Sequence, residues 1–192
     1  MGILKNEQNY LISDDGSYLI YNESSSQNIL FTETFDSGVG TTPPENWDTE
    51  VVSGGNTISF VTTNTAPVVS PYEGTKFVLF NSFEVSSGQN RLKRTTSVSS
   101  IGYSNVSLSF AWYEDSGYGS TADRVTVQWS TNGDVWTNTD TYNRYNLVTG
   151  WKIKTSTLPI DATNQPTLYV AFLFTSTFGN NCSLDYARLI VS

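Results

Sequence analysis

Between residues 123 and 137 the chain reads DRVTVQWSTNGDVWT, and this stretch limits the fold more than any other. Val125, Val127 and Trp129 alternate with Thr126, Gln128 and Ser130, the period of a strand with one apolar face. Asn132-Gly133 follows, and both residues tolerate the positive φ of a two-residue hairpin turn. With that pair as the loop, Thr131 faces Asp134, Ser130 faces Val135, and Trp129 lies opposite Trp136 on the apolar face. The spacing thus predicts both tryptophans in a core; a stacking platform for a ligand is the alternative. Register follows from the pairing, because a slip of one residue moves every side chain to the other face.

The rest of the chain repeats this theme. Of 192 residues, 14 % are aromatic and only 15 % charged, and small polar residues fill most of the remainder. That balance suits β-branched and aromatic strands joined by polar turns, in a chain long enough for one sizeable core. Strands are expected at 29–31, 57–62, 76–81, 91–98, 106–113, 151–155, 167–175 and 183–191, besides the hairpin. Segments 76–81 and 167–175 are apolar on both faces, as central strands are. Segment 106–113 alternates, with Leu108, Phe110 and Trp112 on one face. Segment 91–98 is polar and reads as nearer an edge, with Arg91, Lys93 and Arg94 on its exposed side. No segment holds a helical period, and no exact repeat is present. The fold expected is all-β, an antiparallel β-sandwich over 29–192 preceded by an N-terminal β-hairpin and linker over 1–28.

That hairpin is unusual. Tyr10-Leu11-Ile12 and Tyr18-Leu19-Ile20-Tyr21 flank Asp15-Gly16. A two-residue Asp-Gly loop pairs Ile12 with Leu19, Leu11 with Ile20 and Tyr10 with Tyr21, which leaves both faces apolar. A lone two-stranded ribbon is marginal in water, so it needs cover, from its own domain or from another subunit.

Several chemistries are excluded by residue type. The chain has no histidine, so Ser-His-Asp and Cys-His catalysis and histidine zinc sites are absent. One cysteine, Cys182, allows no internal disulfide and reads as a small semi-buried residue. A net charge of −8 repels phosphate backbones, which argues against nucleic acid. No stretch approaches the ~20 apolar residues of a membrane span. No phosphate loop is present, and the first residues have no apolar leader, so a soluble chain not exported by its own signal is expected. Glu114-Asp115 could pair as catalytic carboxylates by type, but neighbours on a strand point to opposite faces; a solvated loop tip is expected.

Loop aromatics offer a different chemistry. Tyr103, Tyr118, Tyr142, Tyr145 and Phe178 fall between strands. Aromatic faces pack on sugar rings while nearby amides and carboxylates bond hydroxyls. Tyr142, Asn143, Arg144 and Tyr145, with Tyr118, form the densest candidate glycan site; ordinary loop packing is the alternative.

Six stretches, in order, resemble the jelly-roll domains of the cleaved-adhesin and choice-of-anchor J type, related in architecture to MAM domains. They are Glu33-Thr34-Phe35-Asp36-Ser37-Gly38 with Pro44-Glu45-Asn46-Trp47, then Pro71-Tyr72-Glu73-Gly74-Thr75-Lys76, the strand Leu108 to Tyr113, the Val127-Gln128-Trp129-Ser130-Thr131-Asn132-Gly133-Asp134-Val135-Trp136 motif, Gly150-Trp151, and Leu184-Asp185-Tyr186-Ala187-Arg188-Leu189. The resemblance implies a non-catalytic adhesive or carbohydrate-binding module. It also implies a structural calcium, with Glu33, Asp36 and Asp185 at the matching positions. Asp185 lies in an otherwise apolar strand, where a cation or a backbone N–H would relieve its buried charge. The opening ribbon looks, over about 20 residues, like the starts of some tailed-phage structural proteins. From these likenesses the expectation is a virion component, a head or tail decoration whose ribbon docks on other virion proteins or on copies of itself. A bacterial cell-surface adhesin or carbohydrate-binding module is the alternative.

Overall fold

A strand buried on both sides must carry bulk towards the core and small groups outwards, and the segment Val106–Glu114 does so. Leu108, Phe110 and Trp112 are fully buried in the core, while Ser107, Ser109 and Ala111 fill the other face. The computed structural model describes residues 27–192 throughout, and before them the backbone of Leu4–Lys5 (β1), Tyr10–Ile12 (β2) and Tyr18–Ile20 (β3).

The sandwich begins at Asn28–Glu33 (β4) and continues through Trp47–Ser53 (β5), Ile58–Val61 (β6), Asn64–Thr65 (β7), Val68–Val69 (β8), Phe77–Phe80 (β9) and Gly88–Arg94 (β10). Val106–Glu114 is β11. Then come Arg124–Ser130 (β12), Thr137–Asn143 (β13), Gly150–Thr157 (β14), Tyr169–Ser176 (β15) and Cys182–Val191 (β16). One five-stranded sheet has the order β13-β12-β15-β10-β5, and a six-stranded sheet has β14-β11-β16-β9-β6, with β4 also pairing with β16. Every ladder is antiparallel. Among the described residues the only helical turn is the short 3-10 segment Ile160–Ala162, and no helix is long and apolar enough to cross a membrane. The all-β sandwich expected from the strand periods is therefore what the chain forms.

The two sheets meet through aromatic rings. Phe110 and Phe172 cross edge-on at 5.0 Å, Phe80 stacks on Phe174 at 5.4 Å, and Phe35 meets Trp47 edge-on at 5.4 Å. Such rings each remove a large apolar area from water, and their offset geometries add to that burial.

Four expectations change. Trp129 pairs with Thr137, not with Trp136. The connection is longer than two residues because side chains build it. Ser130 Oγ accepts the N–H groups of Asn132 and Gly133, and Asn132 Oδ1 accepts those of Asp134 and Val135. An Asx-type turn of this kind competes with a tight two-residue loop. Segment 91–98 does lie near an edge, with only β5 outside β10, but its strand ends at Arg94, and Arg91, Lys93 and Arg94 are half-buried rather than on an exposed side. In the N-terminal ribbon the register is Tyr10 with Ile20, Leu11 with Leu19 and Ile12 with Tyr18, one residue from the expected pairing, and β1 adds a third strand along β2. Tyr21, the Asp15-Gly16 loop and the surface on which the ribbon docks lie outside the described residues. Finally, Cys182 is wholly buried rather than semi-buried, because it stands at the start of β16 opposite Phe80.

Candidate functional site

The one-residue difference at the hairpin has a consequence for chemistry. Strand residues alternate between faces. Trp129 keeps to the core, 9 % exposed, while Trp136 falls on the outer face of the five-stranded sheet. There the Arg91 guanidinium lies 5.3 Å from the centre of the Trp136 ring. Arg91 Nε donates to Gln128 Oε1 at 2.8 Å, and Gln128 Nε2 donates to Asn138 Oδ1 at 2.7 Å. Arg91 also donates to Glu50 Oε2 at 2.7 Å, and Lys93 joins the same carboxylate at 3.3 Å. Burial works against the Glu50 carboxylate, but the bonds and charges of Arg91 and Lys93 outweigh it and lower its pKa.

The register explains why these groups meet. Glu50 pairs with Arg91 across β5–β10, Arg91 with Leu173 across β10–β15, and Leu173 with Thr126 across β15–β12. The next row runs Asp48, Lys93, Ala171, Gln128 and Asn138. Ala171 is itself covered, and a cavity of about 260 Å³ lies further along the sheet, lined by Asp48, Lys93, Arg94, Thr95, the Asn132-Gly133-Asp134 turn and Tyr169. The face thus offers one indole plate, amide and hydroxyl groups of both donor and acceptor kind, and a compensated ion cluster. No sequence pattern marked it. Trp136 was readable only as core or as a stacking plate, and the other groups come from four different strands.

The expected loop site is divided. Arg144 is completely buried: Nη1 donates to Asp115 Oδ2 at 2.6 Å, and Nη2 donates to Gly117 O at 2.9 Å and to Thr121 Oγ1 at 3.3 Å. It therefore cannot touch a glycan. Tyr142 is half-buried, packs edge-on against Phe110 at 5.4 Å, and donates its hydroxyl to Thr155 O, so it serves the core. Tyr103 packs on the core as well. Asn143 is exposed, and its carbonyl accepts the Trp112 indole N–H. Tyr118 and Tyr145 do remain open, at 52 % and 37 % exposure. Glu114 and Asp115 are not a solvated tip but are buried, each in an ion pair, Glu114 with Lys154 and Asp115 with Arg144.

Glu33, Asp36 and Asp185 stand near the strand ends where the resemblance placed a calcium. Their surroundings do not fit one. Glu33 accepts Phe35 N–H at 2.7 Å and the Trp47 indole N–H at 3.1 Å. Asp36 Oδ1 accepts the N–H groups of Thr75 and Lys76, and Oδ2 accepts the Thr34 hydroxyl. Asp185 Oδ2 accepts the N–H groups of Tyr72 and Glu73, and Oδ1 that of Tyr186. Each oxygen already faces a donor whose positive end would oppose a cation, and among the described residues no three acidic side chains converge. The backbone relief of Asp185, the second of the two expectations, is the one observed. Together Asp36 and Asp185 fasten the loop at 72–76 to the segment just after β4 and to the interior of β16.

No family model and no curated protein matches the sequence. Solved structures do match in shape. The K3 cleaved adhesin domain of Lys-gingipain from Porphyromonas gingivalis W83 aligns over 86 % of this chain and 100 % of its own, with a TM-score of 0.60 and 21 % identity. TmCBM61, solved with β-1,4-galactotriose, aligns over 83 % of this chain and 95 % of its own, with a TM-score of 0.55 and 12 % identity. The CBM22-1 xylan-binding domain of Xyn10C from Paenibacillus barcinonensis aligns over 85 % and 94 %, with a TM-score of 0.54 and 14 % identity. The chain has the cleaved-adhesin type of jelly roll, a fold that carbohydrate-binding modules share.

Proposed function

We propose that the chain is a non-catalytic, adhesive carbohydrate-binding module whose ligand is an uncharged glycan lying across Trp136 on the outer face of the five-stranded sheet. The observation that carries this is Trp136 itself. An indole turned out of the core, braced by Arg91 and flanked by the exposed Asn138 and the half-exposed Glu50, supplies the plate and the hydroxyl partners that a pyranose needs, while the buried Gln128 holds Arg91 and Asn138 in place. Domains of the same fold, one solved with β-1,4-galactotriose and one that binds xylan, support the ligand class. The buried, salt-bridged Glu114 and Asp115 supply no free acid–base pair. The virion setting expected from the opening ribbon together with the jelly-roll likeness is no part of this proposal.

Affinity electrophoresis through gels containing xylan or β-1,4-galactan tests it. The wild-type chain is expected to be retarded by at least one polymer, and Trp136→Ala to run as it does in plain gel with its thermal midpoint unchanged. Retardation by neither polymer, or retardation that Trp136→Ala leaves intact, overturns the sheet-face reading.

A further inference from the structure

At one end of the sandwich three connections come together: that after β9, that between β11 and β12, and that between β15 and β16. Their tips carry Phe83, Tyr118 and Phe178, exposed by 41 %, 52 % and 54 %. Tyr145, from the connection after β13, lies against Gly119, where an added Cβ would stand 2.7 Å from its ring. Phe83 and Tyr118 meet edge-on at 6.0 Å. Tyr118 and Phe178 both hold a left-handed backbone, at φ 52° and 70°. That conformation is costly for an aromatic residue and persists only where the surroundings enforce it.

What enforces it is the buried Arg144 network. The guanidinium ties Asp115, Gly117 and Thr121 together, and Thr121 N–H and Oγ both donate to Tyr118 O. Asn180 donates to Asp115 Oδ1 at 2.8 Å, Thr177 N–H to Asp123 Oδ1 at 2.8 Å, and Ser82 Oγ to the same Asp123 oxygen. Gly179 lies so close that a Cβ there would strike Asp123 and Thr121. Phe83 N–H donates to Asn181 Oδ1 at 2.9 Å. A buried ion pair contributes little net stability compared with apolar packing of the same volume. It does fix geometry, and here the geometry it fixes is that of exposed rings.

The chemistry between the rings selects the partner. Residues 116–122, Ser-Gly-Tyr-Gly-Ser-Thr-Ala, and 177–180, Thr-Phe-Gly-Asn, carry no ionisable group except the tyrosine. Among 83–87 only Glu84 is charged. Hydroxyls, amides and bare glycine backbone flank the touching Phe83–Tyr118 pair and Phe178. A protein interface favours a broad, continuous apolar centre, whereas a few aromatic plates among neutral polar groups suit sugar rings.

We propose that this end of the sandwich is a second saccharide-binding surface, taking an uncharged sugar on Phe83, Tyr118 and Phe178, with Arg144 as the positioning residue beneath them. It shares the ligand class of the sheet face but none of its residues, so either site can fail alone. The test is a titration of the isotope-labelled full chain with xylotriose and with β-1,4-galactotriose, followed by amide NMR shifts. Shifts over 116–122 and 177–180 are expected in the wild type and in Trp136→Ala, with at least a tenfold weaker Kd at this end in Tyr118→Ala and in Phe178→Ala. Arg144→Lys is expected to weaken this end by a similar factor while leaving the sheet-face Kd unchanged. Shifts confined to the sheet face overturn the second site and leave the first standing. No shift at 116–122 and 177–180 with either sugar also overturns it. So does self-association that Tyr118→Ala abolishes while the sugars leave these amides unmoved, which makes the end a protein interface.

Discussion

Trp129 and Trp136 stand seven residues apart in one hairpin and on opposite faces of one sheet. The first is sealed into the core, and the second lies against Arg91 outside it. Trp129→Ala is expected to cost about 3–5 kcal/mol in urea unfolding. Trp136→Ala should cost under about 1 kcal/mol, the worth of an exposed cation–π contact. Equal losses for the two would show that Trp136 is a core residue after all.

Arg144 tests the worth of a buried pair. Removing one partner strands the other's charge, so Arg144→Met should lower stability by about 3–5 kcal/mol. The double variant Arg144→Met with Asp115→Asn should recover part of that loss, because no charge is then left alone at that contact. A double-mutant cycle by chemical denaturation measures it. Additive losses would place the two residues' contributions elsewhere.

Asp185 sets a pH dependence. Burial, with the charge of Asp36 adding, raises its pKa from the usual carboxylate value to about 6, against the N–H groups of Glu73, Tyr186 and Tyr72, which lower it. The folded chain therefore binds this proton more tightly than the unfolded one. Stability from this group is present in full below the unfolded pKa of about 3.9 and is lost as pH rises through about 6, up to about 3 kcal/mol. Glu33, raised by burial, acts in the same direction. Asp36 and Asp123 act oppositely: burial raises each, their hydrogen bonds prevail and lower each, and they withdraw stability only below about pH 4. Urea midpoints should thus be higher at pH 5 than at pH 7.5, and the rise should shrink in Asp185→Asn. A flat wild-type profile would contradict this.

Gly74 turns the loop that Asp36 holds. It has φ +66°, and an added Cβ would fall on the Asp36 carboxylate. Gly102, at φ +83°, has open space around it. Gly102→Ala should cost about 1–2 kcal/mol from backbone conformation alone. Gly74→Ala should exceed that by at least about 1 kcal/mol, since the Asp36 bonds to Thr75 and Lys76 must also shift. Matched thermal melts decide between them.

Cys182 is fully buried, and burial pushes its thiol pKa well up. A thiol reagent should leave it untouched in the folded chain and modify it at once in concentrated urea. Rapid labelling without denaturant would show that the start of β16 opens locally.

What could be read from the residues was whatever a strand decides by itself. The alternation of Val125, Val127 and Trp129 placed that face in the core, and Leu108, Phe110 and Trp112 did the same for β11. Where a decision belonged to partners distant in the chain, the local pattern was silent. Arg144 sits in Tyr142-Asn143-Arg144-Tyr145-Asn146, a run that resembles any exposed loop, and it is buried by Asp115, Gly117 and Thr121, more than 20 residues away. Arg91 and Lys93 read as exposed because β5, which covers the outer side of β10, had no strong period of its own; most of its residues are exposed. Trp136 changed face because a hydroxyl and an amide, Ser130 and Asn132, built the turn that the Asn-Gly pair seemed to own.

The interleaving along β12 reaches into the history such a domain can have. Val125, Val127 and Trp129 face inward, and Thr126, Gln128 and Ser130 occupy the alternate positions of the same seven residues. At the margin of that sheet, β13 is largely open to solvent; Asn138 belongs to it and Trp136 stands just before it. A lineage could therefore exchange Trp136 and Asn138 one at a time, altering what the surface prefers while β12, buried from Val125 to Ser130, keeps the domain folded. Selectivity here is free to drift at a rate that stability does not set.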